Sequence, residues 1–118
     1  MIHFTEDGVV EVNIYRHFDG YPDSKNGVLA DLKKFFKDVK SQTDDTRFDD
    51  ASYLAAKFVV WQAHQNIQPY THDEQPKEML DFLGLGIAKE DHADVEYIYT
   101  VECNASGKLP KVTYKKVL

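Results

Sequence analysis

Cysteine, proline and glycine are all scarce in this chain, with one, four and six among 118 residues. A single thiol, Cys103, makes no internal disulfide, which fits a reducing compartment. There is no second cysteine and no histidine pair at zinc-ligand spacing, so no metal site and no cofactor is implied. No stretch approaches the ~20 apolar residues needed to span a bilayer. Met1 to Gly8 has no basic region followed by an apolar run, so the expectation is a soluble, cytoplasmic protein without a membrane role. Asn104-Ala105-Ser106 has the form of a glycosylation acceptor that such a protein never exposes to the glycosylating machinery. Basic surplus is lacking too. The formal net charge is −6, and from Ser41 to Glu96 twelve acids face four bases. Nucleic-acid binding draws most of its affinity from phosphate neutralisation, so that class is disfavoured.

What is present suits one domain with an ordinary core. Apolar residues make up 42% and charged residues 29% of the chain, near globular averages. Ile2 to Phe4 and Val9 to Arg16 read as strands joined by a tight turn at Glu6-Asp7-Gly8, with Gly8 free to take positive φ. Val10, Val12, Ile14 and Arg16 alternate with Glu11, Asn13, Tyr15 and His17, so one sheet face is buried and the other wet. Gly20 and Pro22 stop the strand. Ser24 or Asn26 is then placed to cap a helix whose apolar stripe is Val28, Leu29, Leu32, Phe35, Phe36 and Val39.

Asp49 or Asp50 caps a second helix running to His64–Asn66. It carries one stripe of Leu54, Ala55, Phe58 and Val59, and a second of Tyr53, Ala56, Val60 and Ala63. So wide an apolar arc places this helix at the centre of the domain or at a subunit interface. Gln68 to Lys77 reads as a loop, Met79 to Leu83 as a short helical turn, and Leu85 to Ala88 as a short strand. Asp94 to Cys103 is a strand with Val95, Tyr97, Tyr99, Val101 and Cys103 on its apolar side. Lys111 to Val117 is a last strand whose lysines suit a sheet edge. The order ββααβββ predicts an α+β domain: an antiparallel sheet of about five strands with two helices on one face.

The densest chemistry lies in Ile14 to Asp23. Arg16, His17, Asp19, Tyr21 and Asp23 are the candidate binding residues, at a strand end and in the loop before the first helix. Together they are suited to an anion or small ligand near that helix's N-terminus. The plainer expectation is that Arg16 pairs with Asp19 or Asp23 and that Asp19-Gly20 makes the turn. Tyr15-Arg16-His17-Phe18-Asp19-Gly20-Tyr21-Pro22 also resembles the signature of a group of small uncharacterised phage and prophage proteins. Asp50-Ala51-Ser52-Tyr53-Leu54-Ala55-Ala56 and Asp94-Val95-Glu96-Tyr97-Ile98-Tyr99 extend the similarity along most of the chain. The chain departs from the group at Phe18, where Trp is usual, and at Asp23 to Asn26, where a second Gly often follows the Pro. The resemblance implies an α+β domain of mobile-element origin and supplies no reaction.

Three functions compete at this level. The leading one is a non-enzymatic binding module that engages a host protein or a small anionic ligand through the loop after the second strand. Another is a small enzyme with His17 as general base, oriented by Asp19 or Asp23. A third is a homodimer formed through the second helix.

Overall fold

The computed structural model describes residues 1–16, 21–23, 25–67 and 83–118. Five strands, β1 (Ile2–Glu6), β2 (Val9–Arg16), β3 (Leu85–Ile87), β4 (Tyr97–Cys103) and β5 (Lys111–Lys116), form one sheet in the order β3-β2-β1-β4-β5. Two helices, α1 (Val28–Gln42) and α2 (Ala51–Ile67), lie between β2 and β3 in the chain. The fold is α+β. The loop expected over Gln68 to Lys77 and most of the helical turn expected over Met79 to Leu83 fall outside the described residues.

The sheet is mixed, which corrects the antiparallel expectation. β1 pairs antiparallel with β2 but parallel with β4, where Ile2 lies opposite Tyr99 and Phe4 opposite Val101. β3 is antiparallel to β2, so β3 and β4 both run in the direction of β1. Residues 88–96 are therefore a crossover from one flank of β1 to the other. The segment has no helix and no periodicity, so its sequence does not announce a crossover. One-sided alternation suggests antiparallel pairing, but a strand in a mixed sheet shows it equally well when only one face is packed. β4 accordingly starts at Tyr97 rather than Asp94.

Asp7 and Gly8 both take positive φ, 50° and 79°, the geometry of a two-residue hairpin turn whose twist matches the strands it joins. A register shift between Phe4 and Thr5 offsets the pairing, which continues as Thr5 opposite Val10 and Glu6 opposite Val9. Beyond it Val10 is exposed rather than buried, while Ile14 remains in the core. β5 is an edge strand, as its lysines suggest.

The helices cover the sheet face that carries Ile2, Phe4, Ile14, Tyr99 and Val101. α1 buries Val28, Leu32, Phe35, Phe36 and Val39, the expected stripe. Its N-cap is Gly27 with no side-chain cap, so Asn26 does not fill that role. α2 is capped twice. Asp50 Oδ1 accepts from the Tyr53 amide at 3.2 Å, and Glu6, reaching over from β1, accepts from the Ala51 amide at 2.6 Å. Leu54, Ala55 and Phe58 are buried, whereas Tyr53 and Val60 of the second stripe are exposed.

Aromatic rings fill the space between the layers. Phe58 lies 5.3 Å from Phe35, edge-on, and 6.0 Å from both Phe4 and Trp61. The Trp61 indole donates to Asp38 at 2.8 Å and so joins the two helices. Cys103 is buried on the same face, and burial together with Glu6, Asp50 and Asp49 pushes its thiol up to about 11. It is a core residue rather than a nucleophile.

Phe58 is the point where sheet, α1 and α2 meet. Phe58→Ala is expected to lower unfolding free energy by about 3–5 kcal/mol in urea titration, the usual result of emptying a buried aromatic site. Val60→Ala, two residues along and on the exposed side, is expected to change it by less than ~0.5 kcal/mol.

Candidate functional site

β2 ends where β1 and β4 begin, and α1 starts beside them. This convergence leaves a recess of about 210 Å³ lined by Met1, Arg16, Tyr21, Glu96, Tyr97 and neighbouring side chains. Two of the five candidate residues therefore share one site. Arg16 brings its guanidinium to the recess from the packed face of β2, and Tyr21 arrives from the loop that follows. Asp23 is exposed. His17 and Asp19 lie outside the described residues, and so does any pairing between them.

Arg16 is engaged by a partner the sequence did not suggest. Its Nη1 lies 2.6 Å from Asp31 Oδ2 in the first turn of α1, and its Nη2 donates to the Asn26 carbonyl at 2.7 Å. Both side chains are largely buried, at 10% and 14% relative exposure, so solvent screens the pair poorly. The bond to Asn26 also fixes the approach to α1, whose N-cap has no side chain of its own. Asp19 and Asp23 were the expected partners because they are near in sequence. The helix turn carries Asp31 back to the strand end instead, and an acid in a first turn is favourable there in its own right.

Tyr21 is half-exposed and leans edge-on against Tyr97, with ring centroids 6.1 Å apart. Its hydroxyl donates to Glu96, and that bond together with the carboxylate's charge pushes the phenol above its usual value. Tyr97, Tyr99 and Tyr114 continue the run of rings along β4 and β5, at 5.9–6.4 Å between centroids, with Tyr99 buried in the core. The Met1 amine donates to the Tyr97 carbonyl at 3.2 Å, and burial holds its pKa below the ordinary value, partly offset by Asp91. Alternation placed Tyr97 on the apolar side of its strand, but no local signal placed Glu96 or Met1 beside Arg16. They meet through the parallel β1–β4 pairing.

A second polar cluster lies on the opposite sheet face. His3 Nε2 is 2.7 Å from Asp91 Oδ1, which also accepts from Asn13 Nδ2 at 2.9 Å. His92 stacks on Tyr15 at 4.0 Å between ring centroids. These contacts hold the crossover against the sheet. Among the described residues no group of three or more His, Cys, Asp or Glu side chains is arranged to hold a metal ion. No helix among them is long and apolar enough to cross a membrane.

Comparison with protein-family models, curated proteins and solved structures finds no match to this chain.

Two outcomes follow from these contacts. Arg16→Ala or Asp31→Ala strands one buried charge and should lower stability by about 3–5 kcal/mol in denaturant titration. Replacing both, as Arg16→Met with Asp31→Leu, should recover most of that loss; an additive loss would show that the pair is not coupled. The second concerns acid. Burial raises the Asp91 pKa, but hydrogen bonds from His3 and Asn13 and the charge of His3 outweigh it and leave the carboxyl below its ordinary value. A carboxyl depressed in the folded state stabilises above its unfolded pKa of ~3.9 and loses that contribution as pH falls through the lower folded value. An NMR titration of the Asn13 side-chain amide should therefore show its midpoint below that value, and Asp91→Asn should abolish the transition.

Proposed function

We propose that the chain is a non-enzymatic binding protein of phage or prophage origin and that the recess between Arg16, Tyr21, Glu96 and Tyr97 is where it engages a host protein. The observation that carries this is a half-exposed tyrosine, oriented by a carboxylate, at the mouth of a recess backed by further tyrosines. Tyrosine gives large contact area with few rotatable bonds and leaves a hydroxyl for polar contact, which is why it concentrates at binding surfaces. At about 210 Å³ the recess is smaller than the ~300–1,000 Å³ of pockets that enclose a small molecule. It has room for one protruding side chain of a larger partner.

A small anionic ligand is the weaker form of the same idea. The cation that would have recognised it is neutralised by Asp31 at 2.6 Å, and Asp94 and Glu96 face the same space. The acid–base reading needs His17 beside Asp19 or Asp23 and draws no support from the described residues.

The test is affinity capture from a host lysate with wild type, Tyr21→Ala and Glu96→Gln, each first shown to unfold at the wild-type denaturant midpoint. A protein retained by wild type should be lost from Tyr21→Ala by about thirtyfold in affinity, the loss typical of a central aromatic contact. Equal retention by all three proteins would remove the recess from the binding surface.

A further inference from the structure

The described residues leave the second stripe of α2 largely open, apart from the Arg47 guanidinium 4.2 Å over the Tyr53 ring. Tyr53 is 56% and Val60 70% exposed, and Ala56 is exposed between them. Beside them a groove of about 750 Å³ runs between the helices, floored by Phe35 and Trp61 and edged by Asp38 and His64. Three features of the stripe specify what would cover it.

The first is spacing. Tyr53, Ala56, Val60 and Ala63 follow one another at three, four and three residues, the repeat with which one helix packs along another as a coiled-coil seam. α2 is 17 residues long, so the seam runs most of its length. The second is size. If two copies of α2 meet antiparallel about a twofold axis, with Ala56 opposite the partner's Val60, then Tyr53 falls opposite the partner's Ala63. Each large side chain meets a small one, and by symmetry the match repeats on the other half. The third is charge. The chain holds 20 Asp and Glu residues, yet α2 contains none. Its only basic groups, Lys57 and His64, lie beside the seam rather than in it. Pairing two copies along this line brings no α2 carboxylate into the seam, whereas acids crowd the flanking sequence on both sides.

We infer that α2 is a self-association surface and that its occupant is the α2 of a second copy, packed antiparallel with Tyr53 over Ala63 and Val60 over Ala56. This surface is separate from the tyrosine recess, so the dimer and the recess stand or fall independently.

Sedimentation or light scattering over a concentration series should give a species of twice the 13.6 kDa monomer mass that dissociates on dilution. Val60→Glu places a charge in the seam and should weaken association by at least ~tenfold. Val60 is exposed in the monomer, so the denaturation midpoint of this variant extrapolated to low protein concentration should stay at the wild-type value. Orientation is read from disulfide formation. The double variant Ala56→Cys/Val60→Cys should cross-link into covalent dimers, and neither single variant should do so. Buried Cys103 stays out of the reaction. A monomer at every concentration overturns the proposal, as does a dimer indifferent to Val60→Glu. Cross-linking by Val60→Cys alone overturns the antiparallel arrangement.

Discussion

Five residues, Ile2–Glu6, occupy the middle of the sheet, and nearly every other element is fastened to one of them. Ile2 and Phe4 give the core its sheet side. His3 holds the crossover through Asp91, and Thr5 donates to the Val101 carbonyl. Glu6 accepts from the first amide of α2, and just before the strand the Met1 amine closes onto Tyr97. A central strand has neighbours on both sides, so all its backbone groups have somewhere to go. Its alternating side chains then serve two faces at once. The helices depend on one set of these contacts and the crossover on the other.

The elements that rest on local physics were readable in advance. A 3.6-residue repeat marks α1 because burying Val28, Leu32, Phe35, Phe36 and Val39 requires it, whatever they pack against. Asp-Gly marks the β1–β2 turn because two positive φ angles are needed there. Asp50 marks the start of α2 because its amides need an acceptor nearby. The parallel β1–β4 ladder has no such signature. Its pairing is a choice between distant strands of similar pattern, decided by the route residues 88–96 take over the far face.

The candidate site shows the same division. Alternation put Arg16 on the packed face of β2, and from there its burial follows. Sequence proximity suggests Asp19 or Asp23 as its counter-ion, but a helix starting at Val28 returns Asp31 to the strand end. Glu96 and Tyr97 are some 80 residues further along and reach the recess only because β4 runs beside β1. The reach of side chains is legible in a sequence; the reach of topology is not.

The parallel ladder also orders events during synthesis. β1 finds β2 almost at once, across a two-residue turn, but Ile2 must wait for Tyr99, 97 residues later. At the ~5–20 residues per second of a ribosome, that is roughly 5–20 s with one edge of the central strand unpaired. An open strand edge is a template for any passing extended chain. For this small protein the hazardous interval lasts until nearly the whole chain has emerged, and it closes only when β4 docks.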